Sequence, residues 1–242
     1  MTRPEPMRKE FQRKSIVRKS FVRRNIRRRS RDEQWPTFVM GLDLGQERDP
    51  SALAIVERVL PDRPVTGPDG ECISEFEFHL RHLHRFKLGT EYPDLVDEVV
   101  GLMSDPKLLD RTLLVVDATG VGAAVVGLLW KQGLRPVSII ITGGDGVTRT
   151  NKGWRVPKRD IVAVLQVLFQ TRRLKISPHL QMGDDLFDEL LNFTARINRH
   201  LTQTFSPLKS DQHDDLVIAL ALPCHFLERL VRRPGKVRVR TF

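Results

Sequence analysis

The sequence predicts an α/β fold, a mixed sheet with helices on both faces. Three extended segments come first, and after them helical and strand periodicities alternate along the chain. Two of the strand-like segments are continuous apolar runs that stop at a single aspartate, the pattern of strands covered on both sides.

Each element has its own signal. Phe38-Val39-Met40-Gly41-Leu42-Asp43 reads as a buried strand, residues 45–50 as a turn and 51–57 as a second strand, which together make a hairpin. A Pro/Gly/Asp-rich loop follows at 61–70. Phe76, Phe78 and Leu80 then alternate with Glu75, Glu77 and His79, the period of a third strand. Leu95, Val96, Val99, Val100 and Met103 switch to helical spacing, and Asp105-Pro106 ends that helix. Residues 113–116 form a short apolar strand that stops at Asp117, and 120–133 a helix rich in small residues. The segment 136–141 is another buried strand, and 157–171 a helix with Pro157 in its first turn. Further helices are expected over about 183–197 and 212–231, with a short strand near 202–205. No internal repeat is visible.

With 242 residues and 40% hydrophobic content the chain can bury a substantial core. Its longest apolar runs, 123–130 and 216–224, fall well short of the roughly 18 to 20 residues that cross a bilayer, so a membrane-spanning helix is not expected. Cys72 and Cys224 lie far apart without metal-ligand spacing, which argues against a disulfide scaffold or thiolate zinc site and fits a reducing cytosol.

Charge divides the chain into three parts. Residues 1–35 hold 13 Lys/Arg against four acids, and residues 228–242 hold six against Glu228 alone. The intervening body, 36–227, keeps 21 bases and 25 acids and is mildly acidic. The expected organisation is therefore a basic N-terminal arm (1–35), one folded domain (36–227) and a basic C-terminal tail (228–242). Such arms are electrostatic footprints for a polyanion. Within the first, Phe11, Ile16, Val17, Phe21, Val22 and Ile26 recur at intervals that allow a basic amphipathic helix, and its Arg/Ser content overlaps with that of a transit peptide, although Glu5 and Glu10 count against that reading.

The chemistry rests on carboxylates. Asp43 ends the first strand and is followed by Leu44-Gly45; Asp117 ends the fourth and is followed by Ala118-Thr119-Gly120. In a mixed sheet of this element order the first and fourth strands can be parallel neighbours, which brings both acids to the edge where ligands bind. A third acidic element, Asp214-Asp215, opens a helix apolar almost all round. Helix capping and the helix dipole account for acids there in general. A helix so apolar must be buried, however, and it carries both carboxylates toward the core, where they repel unless a positive charge sits among them. Hard divalent cations such as Mg²⁺ or Mn²⁺ take oxygen ligands, and a pair of them can activate water and stabilise the leaving oxygen of a phosphodiester.

The ordered strings Gly41-Leu42-Asp43-Leu44-Gly45, Asp49-Pro50-Ser51-Ala52, 114–122 around Asp117, Val156-Pro157-Lys158-Arg159-Asp160 and His213-Asp214-Asp215-Leu216-Val217 resemble the nuclease domain of tailed-phage large terminase subunits, members of the ribonuclease H-like superfamily. The resemblance spans about 36–224 and implies a sheet ordered 3-2-1-4-5. It also implies a Mg²⁺- or Mn²⁺-dependent endonuclease, using two ions, that cuts concatemeric viral double-stranded DNA during packaging. Carried over, Asp43 and Asp117 are metal ligands, and the third falls on Asp214 or Asp215, with Asp215 favoured; Asp43, Asp117 and Asp215 are the implied catalytic set. The chain lacks the Gly-x-x-x-x-Gly-Lys-Ser/Thr loop of the packaging motor, since Gly143-Gly144-Asp145-Gly146 has no lysine. Either the motor is encoded separately, with that ATPase, a small terminase subunit and a portal as the implied partners in the cytoplasm of a host cell, or this is a nuclease used elsewhere.

Other residues have competing readings. Lys152, Arg155, Lys158 and Arg159, with Trp154 among them, form a basic cluster suited to DNA phosphates, or a solvated loop that Trp154 anchors. His82 and His84 share a strand side, but without a nearby Cys or Asp they predict exposure rather than a zinc site. Asp145 reads as a turn residue, and His213 as either an orienter of a metal-binding carboxylate or a polar helix start. Asp43-Leu44-Gly45 also suits an actin-like or sugar-kinase ATP-binding phosphotransferase, but Gln46 replaces the Thr or Ser expected there and the acidic helix has no job in that fold. A non-catalytic DNA-binding packaging protein would use the arms and leave the acids without a role.

Overall fold

The computed structural model describes residues 36–45, 49–60, 65–66, 72–73, 76–199 and 214–232. The strands are β1 (Phe38–Asp43), β2 (Ala52–Val59), β3 (Val65–Thr66), β4 (Cys72–Ile73), β5 (Glu77–Arg85), β6 (Thr112–Asp117), β7 (Val137–Thr142), β8 (Thr148–Thr150), β9 (Gly153–Pro157) and β10 (Leu174–Ile176). The helices are α1 (Tyr92–Met103), α2 (Gly122–Lys131), α3 (Lys158–Gln170), α4 (Gly183–Arg199) and α5 (Asp215–Arg232).

Eight strands form one sheet in the order β10-β5-β2-β1-β6-β7-β9-β8, and β3 pairs with β4 apart from it. Its centre, β5-β2-β1-β6-β7, is the expected 3-2-1-4-5 order. β1 is antiparallel to β2 and parallel to β6, while β7 continues the parallel set. Helices cover both faces. Met40, Leu42, Leu53 and Val116 pack with α1 and α2 on one side. Val39, Ala54, Val115 and Phe78 pack with α3 and α5 on the other. Consecutive β1 side chains thus alternate between two cores, which is why its sequence is apolar throughout.

The structure departs from the sequence reading at the sheet's margins. The third strand runs on to Arg85, and the segment before α3, read as a loop, is the β8–β9 hairpin. α2 begins at Gly122 rather than 120, and Pro157 precedes the first residue of α3 instead of lying within its first turn. α5 continues to Arg232 with Glu228 buried, so the boundary placed at 227 falls inside a helix. The strand expected near 202–205, His213, the N-terminal arm and residues 233–242 lie outside the described residues.

Two local features set the position of α5. A Cβ at Gly41 would collide with the Ala219 carbonyl oxygen and the Pro223 ring, so only glycine lets helix and strand approach this closely. Pro223 has no N–H for the Ala219 carbonyl, the acceptor one helical turn back, and that oxygen faces β1. The second feature is a register shift between β2 and β5: Val56 pairs with Leu80 but Ile55 pairs with His82, leaving Arg81 as the extra residue. Beyond this bulge Leu83 joins the same core as Phe78 and Leu80. Arg85 follows two residues later on that face, the face α5 covers.

Candidate active site

β1 and β6 run parallel with Leu42 beside Val116, so the next residues, Asp43 and Asp117, end adjacent strands at the same edge. By strand alternation both follow residues of the α5-facing core, Val39 and Val115. α5 begins at this edge, with Asp214 immediately before it and Asp215 as its first residue. The Asp43 carboxyl group is pushed well above the usual carboxylate range, first by burial and then by repulsion from Asp117, Asp214 and Asp215, with Lys158 pulling the other way. The other three acids therefore all act on Asp43.

Each is held differently. Asp117 Oδ1 accepts hydrogen bonds from the Thr119 backbone N–H at 2.8 Å and its hydroxyl at 2.5 Å. Thr119 Oγ1 in turn accepts the Ile141 N–H at 2.8 Å, tying this loop to β7. Burial raises the proton affinity of Asp117, and the Thr119 bonds and Lys158 oppose it. A Cβ on Gly122 would strike the Asp117 carbonyl, so this glycine lets α2 start directly behind the aspartate. Asp214 is half-buried and receives the Lys158 ammonium at 2.7 Å. Asp215 is only 4% exposed, and its Oδ2 accepts from Arg85 Nε at 2.8 Å.

Sequence reasoning missed Arg85 and Glu189. Glu189, on α4, pairs with Arg85 Nη2 through one carboxylate oxygen and accepts the Leu216 and Val217 backbone N–H groups, at 3.1 and 3.2 Å, through the other. Burial, reinforced by Asp215, raises its pKa to about 7 against the pull of those bonds and of Arg85. The available signal was a glutamate three residues after the buried Leu186, where helical spacing calls for an apolar residue.

The basic cluster divides. Lys152, in the turn of the β8–β9 hairpin, and Arg155, on β9, are exposed. Lys158 instead reaches inward to Asp214, and Arg159 pairs with Asp145 at 2.9 Å. Trp154 packs against the core with the guanidinium groups of Arg149 and Arg229 at 5.3 and 5.7 Å from its ring centre, the anchoring role rather than an open stacking surface. His84 pairs with Glu98 at 3.5 Å in place of the simple exposure expected of it, and His79, on the same strand, pairs with Glu77.

The four carboxylates are hard oxygen donors of the kind Mg²⁺ and Mn²⁺ prefer. The repulsion on Asp43 is what a divalent cation would offset, so the donor chemistry fits such ions. As arranged, Asp214 and Asp215 are directed at Lys158 and Arg85, and among the described residues no three His, Cys, Asp or Glu side chains close on one point.

Strand order, register and the two helical layers define the ribonuclease H-like class of α/β fold. Among solved structures this chain is similar to the large terminase nuclease from thermophilic phage G20c, with 19% identity and a TM-score of 0.50 over 78% of this chain and 81% of that one. It also aligns with the Mn-soaked human cytomegalovirus terminase nuclease domain, at 15% identity and a TM-score of 0.45 over 87% and 92% of the two chains. The Mn-bound large terminase nuclease domain of bacteriophage SPP1 aligns at 12% identity and a TM-score of 0.45 over 81% and 88%. At 19% identity it is the fold that is shared with the phage G20c nuclease. No protein-family model and no curated protein matches the chain. Among the described residues no helix is long and apolar enough to cross a membrane.

Proposed function

We propose that this chain is a metal-dependent DNA endonuclease of the terminase type. The observation that carries the reading is the electrostatic state of Asp43, a carboxylate at a strand end burdened by three others from β6 and the start of α5. A fold needs no such concentration of partly buried like charge for stability, since like charges brought together away from water cost free energy.

In this reading Asp43, Asp117 and the Asp214-Asp215 pair hold two Mg²⁺ or Mn²⁺ ions, with Asp43, Asp117 and Asp215 as the catalytic set. Ions held there supply the positive charge that activates water and stabilises the leaving oxygen of a phosphodiester. Thr119 holds Asp117 in one rotamer through two bonds to Oδ1. Lys158 carries a positive charge among the acids and steadies Asp214. Lys152 and Arg155, exposed on the hairpin, contact the backbone of double-stranded DNA, joined by Lys158 and Arg159 where their carboxylate partners release them. The basic arm at 1–35 adds affinity without sequence preference. The biological setting that follows is cutting of concatemeric DNA in a host cytoplasm, alongside a packaging ATPase, a small terminase subunit and a portal.

Purified protein should nick and linearise supercoiled plasmid with Mn²⁺ or Mg²⁺, and EDTA should abolish the reaction. Asp43→Asn and Asp117→Asn should each lower the rate by at least about 100-fold, the scale on which a lost electrostatic stabiliser acts, with far-ultraviolet circular dichroism unchanged. Undiminished cleavage by both folded variants would contradict the assignment.

A further inference from the structure

Arg85 and Glu189 come from elements distant in sequence and meet at the first turn of α5. Two of the four N–H groups that a helix start leaves without intrahelical partners, those of Leu216 and Val217, donate to Glu189 Oε2. This is the work of an N-cap side chain, done here from another helix. Glu189 Oε1 receives Arg85 Nη2, and Arg85 Nε donates to Asp215 Oδ2. Glu189 and Asp215 are 8% and 4% exposed, so the guanidinium lies between two buried carboxylates.

We propose that Arg85 and Glu189 form one positioning unit for Asp215, Glu189 fixing the backbone that carries it and Arg85 fixing its carboxylate. Neither is a catalytic residue. The inference deepens the nuclease reading and rests on it for what Asp215 does. If Glu189 is removed, the forked guanidinium is free to swing both donors onto Asp215 and compete with a cation for it. If Arg85 is shortened to Lys, the charge stays but a single ammonium cannot reproduce the fork.

The test measures Mn²⁺ binding by thermal shift on the full chain, with wild type, Arg85→Lys, Glu189→Gln and the double variant. Outer residues that orient metal-binding side chains typically change metal affinity 10- to 100-fold. The Mn²⁺ concentration giving half the maximal stabilisation should rise by that factor in each single variant. The double variant should be no worse than the poorer single one, because the residues act together. Cleavage by the single variants should recover at high Mn²⁺. Should Glu189→Gln not fold, Glu189→Asp keeps the charge, shortens the reach and should give the same rise. Variants that melt lower in EDTA yet keep the wild-type Mn²⁺ midpoint would reduce the pair to a structural brace and overturn the proposal. A wild type that Mn²⁺ does not stabilise would overturn the metal reading itself, and this inference with it.

Discussion

Asp43 shows most directly what the site demands of the fold. Its carboxyl group holds a proton more tightly in the folded chain than in the unfolded one. The stability it contributes is therefore complete below the ordinary aspartate value of 3.8 and is lost as pH rises through its higher folded value. Above that range and without metal, the raised proton affinity of Asp43 counts against folding. Asp43→Asn, nearly isosteric and uncharged, should then melt higher than wild type in EDTA at pH 7 to 8. That advantage should shrink toward pH 4. Thermal melts of both proteins across this range test the point, and a variant less stable than wild type at neutral pH would refute it. A substitution that strengthens the fold while stopping cleavage is the behaviour of a residue kept for function.

At the scale of elements, the approach of α5 to β1 decides whether Asp214 and Asp215 can face Asp43. Gly41→Ala places a methyl group against the Ala219 carbonyl and the Pro223 ring, both rigid, and should cost about 1–3 kcal/mol in urea denaturation. An unchanged midpoint would mean the helix moves away freely. This contact was not legible in the sequence, where Gly41 is simply a break in an apolar strand. β1, β2, β6 and β7 were legible because two-sided burial demands unbroken apolar runs. The short marginal strands Thr148–Thr150 and Leu174–Ile176 contain too few residues to set a period, and the bulge at Arg81 reverses the alternation of β5 halfway along. The same contrast holds at the site. Asp43 and Asp117 stand where apolar strands stop, a local signal. Arg85 reaches partners 104 and 130 residues away, a relation that no local pattern encodes.

For the whole molecule, charge and architecture complement each other. A mildly acidic body with carboxylates gathered at one sheet edge would repel DNA, and the sequence places 13 Lys/Arg in the first 35 residues. On the nuclease reading proposed above, long-range attraction for DNA would come from this arm, and electrostatics of that kind raises affinity without reading sequence. The two helical layers bury both faces of the sheet and leave its carboxyl edge as the place where chemistry can occur. On the nuclease reading proposed above, this edge would hold divalent cations. Anomalous diffraction from crystals soaked in Mn²⁺ tests it most directly. One or two peaks are expected within about 2.0–2.6 Å of carboxylate oxygens of Asp43 and Asp117, the second ion about 3.5–4 Å from the first and bound by Asp214 or Asp215. Peaks only at other sites, or none beside Asp43 in a fully soaked crystal, would contradict it.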